Sequence, residues 1–195
     1  MKRVAYQGVP GAFGHAACLA FLPDCEAVPY PTFEEAEAAA ARGETDFALL
    51  PVRNTNVGLV PQTEPIFKLT ELDTLDTYRL PVRMHLLGAP GSSLPTIRRA
   101  VSHPMAIKQC ARNLAALGLD TVEADNTAMA AAALRDSGDT STAVLASEAA
   151  ASVYGLVILR SDLQDGADNA TIFAVLGRAE EVQSIVTPAV GRGPA

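Results

Sequence analysis

Short apolar runs alternate with helix-like stretches along most of this chain, and that rhythm restricts the folds open to it. Residues 3–7 read as a strand, 11–21 as a helix, 25–28 as a strand and 32–42 as a helix. The second helix opens on Thr32-Phe33-Glu34-Glu35, a capping box whose hydroxyl takes a backbone N–H of the first turn, and Gly43 closes it. Residues 46–52 form a continuous apolar strand; after 54–58, a stretch broken by Pro61 and Pro65 holds one short helix at most. The rhythm resumes with strands at 97–102, 121–124 and 143–146 and helices at 105–117, 127–135 and 147–154. Such alternation predicts an α/β protein of two lobes, each a mostly parallel sheet flanked by helices. The Pro-interrupted extended segment 74–89 supplies one crossing between lobes and the segment before Thr171 the other. Two crossings predict a small-molecule cleft between the lobes. The expected divisions are a first lobe of 1–79 plus 172–186, a second of 80–171, one folded domain over 1–178, and a flexible Gly- and Pro-rich tail at 187–195.

Composition narrows the function classes. At 195 residues and 49% hydrophobic side chains the chain can bury a substantial core. No apolar run approaches the roughly 18 residues that span a bilayer. Met1-Lys2-Arg3 leads straight into the first strand and leaves no room for the apolar part of a signal peptide, so a cytoplasmic location is expected. Cys18, Cys25 and Cys110 lack a Cys-x-x-Cys spacing and read as core thiols, not as a disulfide framework or zinc knuckle. A net charge of −7 without a basic block argues against nucleic acid and anionic membranes, and obliges any anionic substrate to find locally placed cations.

Polar groups gather where strands end. Gly8-Val9-Pro10-Gly11-Ala12-Phe13-Gly14 joins a strand to a helix, and its glycines let backbone N–H groups face an anion; a plain turn is the alternative. The segment is neither a Gly-x-Gly-x-x-Gly fingerprint nor a P-loop. Arg53-Asn54-Thr55, Ser102-His103-Pro104 and Ser147 follow other strands, and each alone reads as a helix cap. These three loops with their hydroxyl, amide and imidazole groups, and the Gly-rich turn as a fourth at a strand end, together read as a site. His103 stands between orienting a substrate and bonding the backbone of its turn, while Met84, Met105 and Met129 read as packing. In Asn169-Ala170-Thr171-Ile172-Phe173, after the turn-like Asp165-Gly166-Ala167-Asp168, one hydroxyl lies at the mouth of an apolar strand. Thr171 either faces a cleft or is a β-branched strand former satisfied by a neighbouring carbonyl.

Taken in order, Val4-Ala5-Tyr6-Gln7-Gly8-Val9-Pro10-Gly11-Ala12-Phe13, Ser102-His103-Pro104, Gln109-Cys110, Thr127-Ala128, Ala146-Ser147, Tyr154-Gly155-Leu156 and Asn169-x-Thr171-x-Phe173 resemble the catalytic domain of prephenate dehydratases over residues 3–178. The resemblance implies two lobes like those of a periplasmic binding protein with the active site between them, and a homodimer. It implies decarboxylating dehydration of prephenate, or a similar dicarboxylate, to phenylpyruvate in phenylalanine biosynthesis, with no metal or organic cofactor. By resemblance Thr171 is the proton donor to the leaving hydroxyl, and Ala12, Phe13, Arg53, Asn54, Thr55, Ser102, His103, Thr127, Ser147 and Phe173 contact the substrate. The family's usual C-terminal phenylalanine-sensing domain finds no room here, so feedback inhibition of that kind is not expected. A related lyase, such as a non-aromatising prephenate decarboxylase, and a silent metabolite-binding homologue are the other readings. Retention of Thr171 counts against the decarboxylase, because a nearby proton donor promotes loss of the hydroxyl.

The departures from the family fall at polar positions. The family reads Thr-Arg-Phe where this chain has Thr171-Ile172-Phe173, Glu-Asn-Ser where it has Arg53-Asn54-Thr55, and Ser-His-Pro-Gln where it has Ser102-His103-Pro104-Met105. A hydroxyl usual at Gly14 and a Ser usual near Leu59 are also missing. A charge-assisted hydrogen bond is worth about 1.5–3 kcal/mol, so losing the cation at Ile172 is expected to slow the reaction roughly 10- to 150-fold unless Arg53 replaces it.

Overall fold

The computed structural model describes residues 1–166 and 168–179, to which every structural statement below refers. In chain order the elements are β1 (Lys2–Gln7), α1 (Phe13–Phe21), β2 (Cys25–Tyr30), α2 (Phe33–Ala41), β3 (Phe47–Asn54), β4 (Gly58–Leu59), α3 (Glu64–Leu69), β5 (Asp73–Pro81) and β6 (His85–Gly88). A 3-10 turn at Leu94–Thr96 precedes β7 (Arg99–Ser102), α4 (Pro104–Gln109), α5 (Ala111–Ala116), β8 (Asp120–Glu123), α6 (Thr127–Ser137), β9 (Thr142–Ala146), α7 (Glu148–Tyr154), β10 (Val157–Arg160) and β11 (Ala170–Gly177). They form two compact units: Met1–Val9, Gly14–Pro81 and 168–179 in the first, Pro10–Phe13 and 82–166 in the second.

The first unit is built on a sheet ordered β2-β1-β3-β11-β5, with β4 beside β3. Strand β3 carries the continuous apolar run of a strand covered on both faces. Phe47 and Leu49 pack with Val4, Tyr6, Phe173 and Val175 against Ala17, Cys18 and Phe21 of α1. Ala48 and Leu50 pack with Ala5 and Leu176 against Ala36, Ala39 and Ala40 of α2. The Thr32 hydroxyl caps α2 by accepting from Glu35 N, as the capping box predicts. The second unit is built on a sheet ordered β10-β6-β9-β7-β8. Leu86, Ala143 and Leu145 face one core together with Ala106 and Leu114 of α4 and α5, while Leu87, Val144 and Ala146 face another with Ala130, Leu134 and Ala150 of α6 and α7.

Both sheets are mixed, not mostly parallel. β1, β2 and β3 pair in parallel, as do β7, β8 and β9, but β11 runs antiparallel to β3 and β5, and β6 antiparallel to β9 and β10. A helical crossover imposes a parallel return, and β11 enters its sheet from a distant part of the chain with no such crossover. The divisions also shift. β11 pairs with β5 along its whole length and with β3 from Thr171 to Leu176, so a boundary at 171/172 would cut it, and the first unit resumes at Asp168; on the other side it runs to Pro81. The expected flexible tail at 187–195, and 180–186 of the first lobe, lie outside the described residues.

Two further differences have remote causes. The helix expected at 105–117 breaks at Cys110, whose backbone (φ −117°, ψ 11°) ends α4 and starts α5. The Asp165 carboxylate there accepts from the backbone N–H groups of Arg112 (2.9 Å) and Asn113 (3.1 Å), capping the new helix from elsewhere in the chain. Burial first, then the Asp165 charge, pushes the Cys110 thiol up to about 12. The second difference is Pro10–Phe13, which belongs to the second unit although its neighbours on both sides belong to the first, so the chain passes between units more often than the two expected crossings. The Ser147 hydroxyl donates to Gly11 O (2.7 Å) and the Tyr154 hydroxyl to Pro10 O (2.6 Å).

Gly11 has φ +86°, and a Cβ there would stand 3.0 Å from Ala150 Cα and 3.0 Å from Tyr154 Cε2. Gly11→Ala is therefore expected to cost about 1–3 kcal/mol, from left-handed backbone strain together with the clash. At about 2–4 °C per kcal/mol for a chain of this size, thermal unfolding should show a midpoint several degrees lower.

Candidate active site

The carboxyl ends of β1 and β3 lie at one end of the first sheet, where α/β proteins collect ligands, and antiparallel β11 brings its first residues to the same end. Asn54, the last residue of β3, stands opposite Thr171 of β11. Its amide nitrogen donates to Asn169 Oδ1 (2.9 Å) and to Thr171 Oγ1 (3.1 Å), while its amide oxygen accepts from the backbone N–H groups of Asn56 (2.9 Å) and Val57 (3.2 Å). All of its hydrogen-bonding capacity on the donor side is thus in use. Thr55 ties the neighbouring chain: its hydroxyl donates to Asp168 O (2.7 Å) and accepts from Ala170 N (2.9 Å), and its backbone N–H donates to Ala170 O (2.9 Å).

An amide nitrogen can only donate, so Thr171 Oγ1 is an acceptor toward Asn54, and the threonine's own proton is directed elsewhere. No acceptor for it appears among the described residues. Thr171 is half-buried and Phe173, on the same face, is buried in the α1-side core. The sequence reasoning placed Asn169 in a motif without giving it a role. It is 5% exposed, its oxygen takes the Asn54 bond, and its amide nitrogen has no partner among the described residues. Its i, i+2 spacing from Thr171 was the available signal, since alternate residues of an extended strand share a face.

Other predicted site residues have local structural tasks. Ser102 is wholly buried and its hydroxyl donates to Leu145 O (2.8 Å), so it is not free to contact a substrate as expected. Ser147 is likewise occupied on both sides, accepting from Ala150 N (3.1 Å) as the cap of α7 and donating to Gly11 O (2.7 Å). His103 is exposed and accepts from Met105 N on Nδ1 (3.2 Å), the turn-bonding alternative; its neutral tautomer then carries the proton on Nε2. Thr127 opens α6, but the cap is the adjacent Asn126, which accepts from Ala128 N and Met129 N. Ala12 and Phe13 lie in or next to the strapped segment of the second unit, and Phe13 packs partly against its core. Arg53 is exposed and faces away from Thr171, because it is paired with Ile172, the next residue along β11. A groove of about 710 Å³ beside α6, lined by Val101, Val122, Met129 and Ala133, holds none of these residues. Among the described residues no three His, Cys, Asp or Glu side chains converge as metal ligands would.

His15, also passed over in the sequence reading, stacks on Tyr6 with ring centroids 5.4 Å apart, and burial lowers its pKa from the ordinary value.

A family model for prephenate dehydratase matches residues 4–181. The chain is 37% identical over 176 residues to arogenate dehydratase/prephenate dehydratase 1, chloroplastic, of Arabidopsis thaliana, covering 90% of this chain and 45% of that protein. Among solved structures it superimposes with a TM-score of 0.84 and 33% identity on GqqA, described as a novel type of quorum quenching acylase, covering 100% of this chain and 67% of that one. It superimposes with a TM-score of 0.80 and 26% identity on the prephenate dehydratase of Arthrobacter aurescens in complex with L-Phe, covering 90% and 60%. The chain spans about half the length of the plant relatives it matches.

Thr55→Val keeps the shape of the side chain and removes two hydrogen bonds around Asp168 and Ala170, so it should cost about 1–3 kcal/mol, read as a lower denaturant midpoint with an unchanged slope. A lowered His15 pKa means that the unfolded chain binds its proton first as pH falls, so this residue's part of the stability is present above about 6.5 and lost below it. Melting midpoints measured from about pH 7.5 to 5.5 should fall, and His15→Gln should flatten that slope.

Proposed function

Because the chain belongs to the prephenate dehydratase family, we propose that it catalyses the decarboxylating dehydration of prephenate to phenylpyruvate, with Thr171 as the proton donor. The observation that carries this reading is the Asn54 bond to Thr171 Oγ1, which leaves the hydroxyl proton available to an incoming acceptor. In the reaction the ring carbon–carboxylate bond breaks and carbon dioxide leaves. Its electron pair moves through the ring, the carbon–hydroxyl bond breaks on the opposite side, and the ring becomes aromatic. The departing hydroxide takes the Thr171 proton and leaves as water. The alkoxide oxygen that remains is the atom to which Asn54 already donates, and it regains a proton from solvent. The Asn54 bond strengthens as charge develops on that oxygen, which is the condition for lowering a barrier without tightening ground-state binding.

Asn169 supports the arrangement from behind by accepting the second Asn54 hydrogen, which fixes the amide in the orientation that presents nitrogen to Thr171. Positioned proton transfer contributes about 10²–10⁴-fold, and the loss of carbon dioxide with aromatisation is strongly downhill, so a single placed donor meets the chemical requirement. The substrate differs from arogenate only in bearing a keto group where arogenate bears an amine, and both belong in the assay.

Purified protein given prephenate and, separately, arogenate should form an aromatic product visible in the ultraviolet. Thr171→Ala should lower kcat about 10²–10⁴-fold with KM little changed, and Thr171→Ser should keep activity within about tenfold. Asn54→Asp should also lower kcat strongly, because a carboxylate accepts the Thr171 proton instead of donating to its oxygen. Binding of both compounds without release of any aromatic product would sink the proposal.

A further inference from the structure

A chain of forced orientations ends at the side chain of Asn169. The backbone N–H groups of Asn56 (2.9 Å) and Val57 (3.2 Å) fix which end of the Asn54 amide is oxygen, so its nitrogen faces Asn169 (2.9 Å) and Thr171 (3.1 Å). That nitrogen can only donate, and the atom of Asn169 that meets it is therefore the amide oxygen. Turning the Asn169 amide over would set two donors against each other. The Asn169 nitrogen is left shielded from solvent and without a partner among the described residues, in a side chain 5% exposed. Buried donors of this kind are rare enough in folded proteins to require a reason, and no rotation of either amide removes this one.

The two side chains that Asn54 gathers each keep a hydrogen to give, Thr171 on its hydroxyl and Asn169 on its nitrogen. They stand two residues apart where β11 begins. We propose that Asn169 is a second donor to the substrate: its amide nitrogen bonds the oxygen of the leaving hydroxyl, the same oxygen that takes the Thr171 proton. This deepens the reaction proposed above and rests on it. A hydroxyl oxygen carries two lone pairs, so it can face both donors at once. When the carbon–oxygen bond breaks, its electron pair stays on that oxygen, which becomes water with the Thr171 proton. Asn169 transfers nothing; its hydrogen bond strengthens as negative charge develops on the departing oxygen. Because the nitrogen is shielded from water, the acceptor arrives with the substrate, and a hydrogen bond made in such a dry setting stabilises charge more than one made in solvent.

Asn169→Asp in the whole chain tests this, because a carboxylate keeps an oxygen for Asn54 and lacks the donor. With prephenate at about pH 8, kcat should fall about 10²–10³-fold with KM little changed. Lowering the pH to about 5 should bring kcat, above the uncatalysed rate, back to within about tenfold of the parent at the same pH, since a protonated carboxyl again both accepts and donates. If Asn169 only orients Asn54, the carboxylate serves equally well, so an unchanged kcat at pH 8 would overturn the proposal, as would a loss that stays the same at every pH. A second measurement needs neither turnover nor that variant. Titrated into nitrogen-15-labelled Thr171→Ala protein, in which turnover is slowed, prephenate should shift the side-chain amide resonances of Asn169. Failure of that pair to shift, whether or not other resonances move, would overturn the contact. A shifted Asn169 amide in a parent protein that releases no aromatic product would sink the proposed reaction and leave the contact standing.

Discussion

Strand β11 enters the first sheet antiparallel between β3 and β5, and the arrangement at the candidate site depends on its register. Cross-strand pairing sets Thr171 opposite Asn54 and, one residue on, Ile172 opposite Arg53. A slip of one residue would send every side chain of β11 to the other face, removing Phe173 and Val175 from the α1-side core and Thr171 from Asn54. The apolar residues of β11 therefore hold the polar ones in place. The Thr55 and Asn54 hydrogen bonds tie down the first residues of the strand and the segment that leads into it.

The hydroxyls of this protein separate into two kinds by what their hydrogen bonds leave over. Ser147 and Thr55 both accept and donate within the fold, and Ser102 donates to a carbonyl while wholly buried. Each is satisfied and has no proton to offer. Thr171 is held by a neighbour that can only donate, so it is fixed in position with its proton uncommitted among the described residues. Anchoring a hydroxyl through its oxygen is the arrangement a proton donor needs. In the proposed reaction an amide at Asn54 serves this end where a carboxylate would take the proton.

Much of the fold was legible because it rests on local signals. The Thr32 helix cap, the two-sided apolar run of β3 and the alternation of strands with helices are carried by neighbouring residues, and they appear where the pattern puts them. The break at Cys110 was not legible, because its cap is the carboxylate of Asp165, dozens of residues away along the chain. The edge strand β10 and the antiparallel members of both sheets carry no local signal either, because a strand's place and direction in a sheet are decided by the partner it meets. At the site, Thr171 and Asn54 were singled out from their sequence setting, whereas Asn169 gained a role only when its oxygen was found to take the second Asn54 hydrogen.

By itself the sequence determined the class of fold, the ordered motifs that identify the family, and the residue types available at the strand ends, since these depend on periodicity and identity along the chain. Only the tertiary structure decided which of those polar residues are free. Ser102 and Ser147 are consumed by partners far along the chain, and Arg53 and Ile172 become a pair because two strands of opposite direction meet in one register. A hydrogen bond and a pleat face are properties of two segments at once, and the sequence of either segment does not contain them.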